Sequence, residues 1–170
     1  VGDIAYNYSL ISNAAKEALD ENVSLVITPE LSLTGYPPED LLLNSDFLEE
    51  VNKKLLLLAK ENPRIMIIVG HPLLQGNKLF NAASVLYKGK IFKSYKKQAL
   101  PNYGVFDEKR YFVPGDTNLI FNHKNYKIGV LICEDIWNEF PIKNLIKNDV
   151  DFIVCINASP YEIDKNDYRI

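Results

Sequence analysis

The chain has 170 residues, of which 47% are hydrophobic, and its formal net charge at pH 7 is −3. This length fits one domain with a packed core, and the slightly acidic balance argues against a nucleic-acid-binding surface. No apolar run approaches the roughly 20 residues that are needed to cross a bilayer. We therefore expect a globular domain that has neither nucleic acid nor a membrane as its partner.

The few cysteines and histidines restrict the redox and metal chemistry. No signal peptide opens the chain, so we expect Cys133 and Cys155 to be reduced thiols in a cytoplasmic protein. Cys155 lies inside an apolar run and is interpreted as a core residue. With only His71 and His123 in the chain, a metal site built from His and Cys is poorly supplied, and we expect no metal.

Hydrophobic periodicity predicts helices that alternate with short apolar strands. In the first half we predict a helix at 4–20, a strand at 23–28, a loop at 31–43, a helix that starts at 44–46 with Asp46 and Glu49 in capping-box spacing and ends at Asn62, and a strand at 64–70. In the second half we predict strands at 79–87 and 90–97 joined by a turn at 88–89, a long loop at 99–116, a hairpin of 119–121 and 127–133, a helix at 136–147 and a strand at 151–157. This alternation is typical of the α/β class.

Cys133 lies at the junction between a predicted buried strand and the predicted helix that follows it. In open α/β folds, ligands bind beyond the carboxyl ends of the strands. A helix N-terminus also favours a thiolate and can lower a cysteine pKa from about 8.5 to between roughly 3.5 and 7.5. Free cysteines are, however, among the most buried residues, so position alone also allows a core role.

Three further polar residues follow predicted strands in the same way. Glu30 and Ser159 come directly after apolar strands, and Lys97 ends a hairpin strand. If these strands share a sheet, their side chains and Cys133 project near one edge. A carboxylate base, a thiol nucleophile and an ammonium that stabilises an oxyanion are sufficient for covalent acyl transfer without histidine. The spacing alone is also compatible with a solvated Glu30 and a surface Lys97 beside Lys96.

Four stretches carry a resemblance to a known family. They are PELSLTGYPPEDLL at 29–42, YKKQALPNYGVFDEKRYF at 95–112, ICEDIW at 132–137 and NASPY at 157–161. They resemble the nitrilase superfamily of carbon–nitrogen hydrolases and, more narrowly, the glutaminase domains of glutamine-dependent NAD⁺ synthetases. The segments LPNYGVFDEKRYF and CEDIW carry the narrower resemblance, which covers essentially the whole chain.

The resemblance implies roles for three catalytic residues. Glu30 matches the family's general base, Lys97 (not Lys96) the lysine that stabilises the oxyanion, and Cys133 the nucleophile. Cys133 would attack the side-chain amide of glutamine, release ammonia and leave a γ-glutamyl thioester, which water activated by Glu30 would hydrolyse to glutamate.

Four more residues match the family's substrate-binding or supporting positions. Tyr103, Glu134 and Ser159 match positions that hold glutamine in the synthetase branch. Glu108 matches a second active-site glutamate that supports the lysine.

The resemblance also implies an incomplete fold and a missing partner domain. The fold would be a nitrilase-like four-layer α-β-β-α sandwich, and residues 1–170 would be a carbon–nitrogen hydrolase domain that lacks its first strand and its C-terminal part. The domain itself would need no cofactor. An absent synthetase domain would use ATP and Mg²⁺ to amidate nicotinic acid adenine dinucleotide to NAD⁺, and by analogy a homo-oligomer is expected.

Two other functions remain open on sequence. One is a free-standing nitrilase-type amidase or carbamoylase that uses the same three catalytic residues on another small amide. The other is a nitrilase-like scaffold without turnover, against which the presence of all three residues counts.

Overall fold

In the computed structural model, which describes residues 1–160, the described chain forms three α-helices and seven β-strands. They are α1 (Ile4–Asp20), β1 (Leu25–Ile27), α2 (Ser45–Glu61), β2 (Met66–Gln75), β3 (Lys78–Tyr87), β4 (Lys90–Lys96), β5 (Leu119–His123), β6 (Tyr126–Ile132), α3 (Glu139–Lys147) and β7 (Phe152–Ile156). Short 3₁₀ segments lie at Glu39–Leu43, Glu108–Arg110 and Cys133–Trp137. The predicted α/β class is confirmed, and Tyr161 of the NASPY stretch lies outside the described residues.

The strands form two sheets. In the sequence-based prediction, the candidate residues lie near one edge on the condition that their strands share a single sheet. The first has the order β1-β2-β3-β4, with β1 parallel to β2 and the other pairs antiparallel. The second has the order β5-β6-β7, with β5 antiparallel to β6, and β6 parallel to β7 through the α3 crossover. The strands that precede Glu30, Lys97, Cys133 and Ser159 therefore do not share one sheet, but the ends of both sheets meet at the candidate site.

The strand predicted at 64–70 is too short. β2 runs on to Gln75 and turns through Gly76 into β3, so three strands form a meander. Gly70 does not end the strand but allows another segment to pass over it. A Cβ at Gly70 would lie 2.3 Å from the Pro29 carbonyl oxygen and 2.9 Å from the Cα of Glu30.

The two sheets face each other across a core, and helices cover their outer faces. Ile68 of β2 and Val85 of β3 belong to one buried cluster with Ile128 and Val130 of β6. The opposite face of β2 packs against α1 and α2 in a second cluster. On the far side, a Cβ at Gly129 of β6 would lie 2.9 Å from the Leu145 side chain of α3. The layers therefore follow the expected order of helix, sheet, sheet, helix.

The start of α2 differs slightly from the prediction. Asn44 caps the helix, since its side-chain oxygen accepts the N–H groups of Asp46 and Phe47 at 2.8 and 3.2 Å. Glu49 pairs with Lys53 at 2.8 Å. The predicted capping box between Asp46 and Glu49 is therefore wrong, because Asn44 already satisfies the free donors of the first turn.

The helix predicted at 136–147 is divided in two. A 3₁₀ segment covers Cys133–Trp137, Asn138 is extended, and α3 starts at Glu139. Pro141 lies in the first turn of α3. Proline there lacks an N–H group, and in a continuous helix its ring would clash with the carbonyl group four residues earlier. The chain must therefore end the turn that carries Cys133 before α3 can begin.

Candidate active site

Glu30 connects the two sheets at their carboxyl ends. It follows β1, and it is 2% exposed. Its Oε1 accepts hydrogen bonds from Lys97 Nζ at 2.7 Å and from Asn81 Nδ2 at 2.8 Å. Its Oε2 accepts the N–H group of Ala158, just after β7, at 3.2 Å. The carboxylate is thus held by donors from both sheets.

Lys97 is the buried cation of the site. Its Nζ lies 2.7 Å from Glu30 Oε1 and 2.7 Å from Glu108 Oε1, and the residue is 1% exposed. Burial opposes its charge, but the two carboxylates outweigh burial and raise the pKa of Lys97 to about 12. Lys96 instead places its Nζ 4.3 Å from the centroid of the Phe80 ring. The structure therefore brings Lys97, and not Lys96, into contact with both carboxylates.

Glu108 is the second buried carboxylate. Besides Lys97, it accepts hydrogen bonds from Asn81 Nδ2 at 3.3 Å and from the Tyr36 hydroxyl at 3.4 Å. Burial raises the pKa of Glu108, and the charge of Lys97 opposes that rise. Together with Glu30, it gives this water-poor region two carboxylates for one ammonium.

Cys133 lies on a strained turn at the edge of this region. Its φ of 46° is in the left-handed region, which a residue with a Cβ seldom adopts. Its Sγ lies 3.7 Å from Ser159 Oγ. Burial raises the pKa of the Cys133 thiol, the charge of Glu30 raises it further, and the charge of Lys97 lowers it. Both charged groups therefore act on the sulfur.

The expected lowering of the thiol pKa by a helix N-terminus is wrong. Only a five-residue 3₁₀ segment follows the strand, and the half-buried thiol loses solvation. A desolvated thiol stays protonated near neutral pH, so it needs a base to become a nucleophile.

Asp135 fixes the turn that carries Cys133. It is fully buried, with 0% exposure, and burial raises its carboxyl pKa while four hydrogen bonds oppose the rise. The donors are the Tyr95 hydroxyl at 2.8 Å and the N–H groups of Gln98 at 3.0 Å, Ala99 at 2.7 Å and Ile132 at 3.1 Å. One carboxylate therefore ties the turn after β6 to the segment that follows Lys97.

The predicted substrate-binding residues lie at the more open side of Cys133. The Tyr103 hydroxyl donates to Glu134 Oε2 at 2.9 Å, and Tyr103 is 59% exposed. Both residues line an open cleft of about 690 Å³. Its walls also include Gln98, Leu100, Phe112 and Asn138. Glu134 directly follows Cys133 in the chain, so the cleft borders the turn that carries the thiol.

The two histidines lie away from this site. His71 bonds to Ser84 Oγ and the Pro72 carbonyl oxygen, and His123 bonds to Ser24. Among residues 1–160, no group of three or more His, Cys, Asp and Glu side chains is arranged to hold a metal ion. In the same part of the chain, no helix has both the length and the apolar character of a membrane span.

The comparison with known sequences decides the family. The profile of the carbon–nitrogen hydrolase family ("Carbon-nitrogen hydrolase") matches residues 1–165. The chain belongs to the carbon–nitrogen hydrolase family. It is 42% identical to the glutamine-dependent NAD(+) synthetase of Acinetobacter baylyi over 172 residues, which are 100% of this chain and 31% of that protein. Identity to the synthetase of Thermotoga maritima is 41% over 97% of this chain and 29% of that protein.

Solved structures of carbon–nitrogen hydrolases share the fold. The glutamine-dependent NAD⁺ synthetase of Acinetobacter baumannii superposes with a TM-score of 0.94 at 39% identity, covering 99% of this chain and 32% of that one. An amidase of the nitrilase superfamily from Nesterenkonia gives 0.84 at 22% identity, covering 97% of this chain and 63% of that one. The predicted nitrilase-like fold is confirmed. The chain spans about a third of the length of the curated relatives it matches.

Besides Asp135, two residues of this carbon–nitrogen hydrolase site have no counterpart in the sequence prediction. Asn81 donates to both carboxylates, and the Tyr36 hydroxyl reaches Glu108. A signal for Asn81 was present, because an amide inside an apolar strand is uncommon and must find partners. Tyr36 lies in a loop, where nothing local distinguishes it from a surface tyrosine.

Cys155 packs behind the nucleophile without joining the charged groups. It lies in β7, half-buried against the core, and its Sγ contacts the Cys133 carbonyl oxygen at 3.8 Å. Burial raises its pKa to about 11. This placement agrees with its interpretation as a core residue.

Proposed function

We propose that this chain is the glutaminase part of a glutamine-dependent NAD⁺ synthetase. Cys133 forms a bond to the side-chain carbonyl carbon of glutamine, and the carbon–nitrogen bond breaks to release ammonia. Water then hydrolyses the γ-glutamyl thioester to glutamate and regenerates the thiol. The names of relatives that are about 40% identical over nearly the whole chain support this choice of substrate.

The observation that carries the chemistry is the contact of Lys97 Nζ with Glu30 and Glu108 at 2.7 Å each. In the described part of the chain, two of the three N–H groups of this ammonium are thereby bonded, and the third is left for a reacting oxygen. A site of this kind supplies a base and an oxyanion donor without histidine.

The proton has a complete path through Glu30. Glu30 accepts the thiol proton of Cys133, and the sulfur attacks the amide carbon while Lys97 stabilises the oxyanion. A single oxyanion donor contributes about 2.7–4 kcal/mol to transition-state stabilisation. Glu30 then gives the proton to the departing ammonia. In the second half-reaction, it takes a proton from the attacking water and gives that proton to the cysteine sulfur as the carbon–sulfur bond breaks, which restores the thiol and the carboxylate.

Tyr103, Glu134 and Ser159 are proposed to hold the glutamine. Glu134 can pair with the α-ammonium group, and the hydroxyl groups can bond to the α-carboxylate or the amide. Tyr103 already orients Glu134 through a 2.9 Å hydrogen bond.

The partner, the cofactors and the compartment follow from the same proposal. Residues 1–170 are taken as part of the amidohydrolase domain, and the ammonia passes to a synthetase domain of the same protein. ATP and Mg²⁺ belong to that domain, and no step above involves them. A homo-oligomer in the cytoplasm is expected for such an enzyme.

The test is the hydrolysis of glutamine by the full-length protein and by its Cys133→Ala variant. The variant should lose on the order of 10⁴-fold or more in kcat, because no second nucleophile replaces the sulfur. The matched control is Cys155→Ser, which should retain hydrolysis. An electrophilic glutamine analogue should label Cys133 alone.

Three outcomes would reject the proposal. Labelling of Cys155 with Cys133 untouched would remove the mechanism. Hydrolysis of other small amides but not of glutamine would favour an amidase or carbamoylase, and absence of any hydrolysis would favour a scaffold.

A further inference from the structure

Asn81 contacts every charged residue of the buried cluster. It lies in β3 and is 1% exposed. Its Nδ2 donates to Glu30 Oε1 at 2.8 Å and to Glu108 Oε2 at 3.3 Å. Its backbone carbonyl oxygen accepts the N–H group of Lys97 at 2.8 Å. One residue therefore links the positions of both carboxylates and of the lysine.

The chemistry of an amide suits this place. Two carboxylates around one ammonium leave an excess negative charge in a region with little water, which favours protonation of one carboxylate. A primary amide supplies two N–H donors from one nitrogen and adds no charge. A serine hydroxyl would donate to only one of the two carboxylates, and an aspartate would add a third negative charge.

The other end of the Asn81 amide supports the same interpretation. Its Oδ1 is buried and has no hydrogen-bond partner among the described residues. A buried carbonyl without a partner destabilises a fold and calls for an explanation. The two donor bonds on the nitrogen provide that explanation, since they require this side chain in spite of the unsatisfied oxygen.

We propose that Asn81 is a positioning residue, which holds Glu30 and Glu108 on either side of Lys97 in the ionised state that lets Glu30 act as a base. The inference rests on the proposed function and adds a residue to it. The ionisable groups that face this cluster come from five segments of the chain. They are Glu30 after β1, Tyr36 in the following loop, Lys97 after β4, Glu108 in the 3₁₀ segment and Cys133 after β6.

The experiment is the pH profile of kcat/KM for glutamine in the full-length protein and in Asn81→Asp. Losing two donors and gaining a negative neighbour makes the carboxylates easier to protonate. The acid limb of the profile should therefore move to higher pH by about one unit. At pH 7 the loss in kcat/KM should be about 10- to 100-fold, the range for hydrogen bonds to charged groups.

Asn81→Ser is the milder second variant, and it decides the matter if Asn81→Asp does not fold. It retains one donor, so its acid limb should shift in the same direction by a smaller amount.

Ser84→Ala is the matched control for both Asn81 variants. Ser84 is fully buried in the same strand, but strand alternation places it on the other face, where it bonds to His71 and Ser94. Its variant should lose stability and keep the wild-type profile.

An unshifted acid limb in folded Asn81→Asp and Asn81→Ser would overturn the inference, as would an equal shift in Ser84→Ala. The pH dependence of Cys133 alkylation by iodoacetamide, followed in a Cys155→Ser background, separates this result from the proposed function. In Asn81→Asp the added charge should move the alkylation midpoint to higher pH, even if glutamine is not the substrate. An unchanged midpoint would count against Asn81 whatever the outcome with glutamine.

Discussion

The candidate site has a dry half and an open half, and the two differ in how their polar groups are paired. The carboxylate cluster consists of Glu30, Asn81, Lys97 and Glu108, and the rim consists of Tyr103, Cys133, Glu134 and Ser159. No member of the cluster is more than 5% exposed, and its charged groups bond to one another at 2.7 Å. The rim is half-buried or exposed, and the one hydrogen-bond contact of its thiol within residues 1–160 is to a hydroxyl at 3.7 Å.

The difference shows which part is organised before a substrate arrives. Charges in a water-poor region must be paired in the folded protein, because an unpaired buried charge is strongly destabilising. The rim needs no such pairing, since water can satisfy its groups until a ligand replaces it. Substitutions in the cluster should therefore affect both stability and catalysis, whereas substitutions in the rim, other than at the nucleophile Cys133, should affect mainly substrate binding.

The largest effect on stability is expected for Lys97→Met. The substitution keeps the length of the side chain but leaves Glu30 and Glu108 buried without their cation. Breaking a buried ion pair in this way costs about 3–5 kcal/mol in the free energy of unfolding. Urea denaturation at neutral pH measures the loss, and glutamine hydrolysis should fall with it because the oxyanion donor is gone.

Lys96→Met is the matched control for Lys97→Met. Lys96 only places its ammonium over the Phe80 ring, at 4.3 Å. Such contacts contribute about 0.5–1 kcal/mol at exposed sites. If the two variants lose equal stability, the buried cluster does not differ from an ordinary surface pair.

Local rules predict most elements of this fold, because their signals lie in neighbouring residues. The turn at Lys88-Gly89 is such a case, since both residues adopt the positive φ values that a tight hairpin requires, 51° and 78°. The division into two sheets is not local. It depends on β2 continuing past Gly70. A glycine at this position is as compatible with a segment that crosses over the strand as with the end of the strand. The sequence shows the glycine but not the partner that makes it necessary.

The candidate site also has residues that local sequence patterns predict and residues that they do not. Glu30 and Cys133 each follow an apolar strand and Lys97 ends a hairpin strand, and these positions together with the family resemblance select them as candidates. The role of Asp135 depends on N–H groups at Gln98 and Ala99, more than 30 positions away in the chain. Partners of this kind are brought together only by the packing of one sheet on the other, which no local pattern contains.

A second buried polar group tests whether burial alone, without an ion pair, affects stability and catalysis as it does in the cluster. His71 is 1% exposed and neutral, held by Ser84 and the Pro72 carbonyl oxygen, and burial lowers its pKa from 6.5 to about 4. Because the folded protein resists protonation of His71, its contribution to stability is complete above pH 6.5. That contribution is lost as the pH falls towards 4, and it amounts to about 3 kcal/mol.

The measurement compares the free energy of unfolding at pH 7 and pH 4.5 in the wild type and in His71→Gln. The wild type should lose about 2–3 kcal/mol more than the variant over this interval. The kcat of glutamine hydrolysis at pH 7.5 should be nearly unchanged in the variant, since His71 contacts no member of the cluster or the rim. Equal acid sensitivity of the two proteins would show that His71 is not the group that titrates.

The smallest effect is expected at the rim, for Tyr103→Phe. The change removes one hydroxyl from an exposed ring and leaves Glu134 in place, so Glu134 loses only its 2.9 Å hydrogen bond. Water can replace that bond in the free protein, and we expect no measurable change in the urea midpoint. Bound glutamine would interact with a less well oriented Glu134. We therefore expect KM for glutamine to rise about 3- to 10-fold, or roughly 1 kcal/mol, with little change in kcat.

Tyr126→Phe, at a tyrosine of β6 that is 50% exposed, serves as the control for Tyr103→Phe and should leave KM and kcat unchanged. A fall in kcat at constant KM would instead place Tyr103 among the groups that act on the transition state, and the division between a catalytic cluster and a binding rim would then fail at this residue.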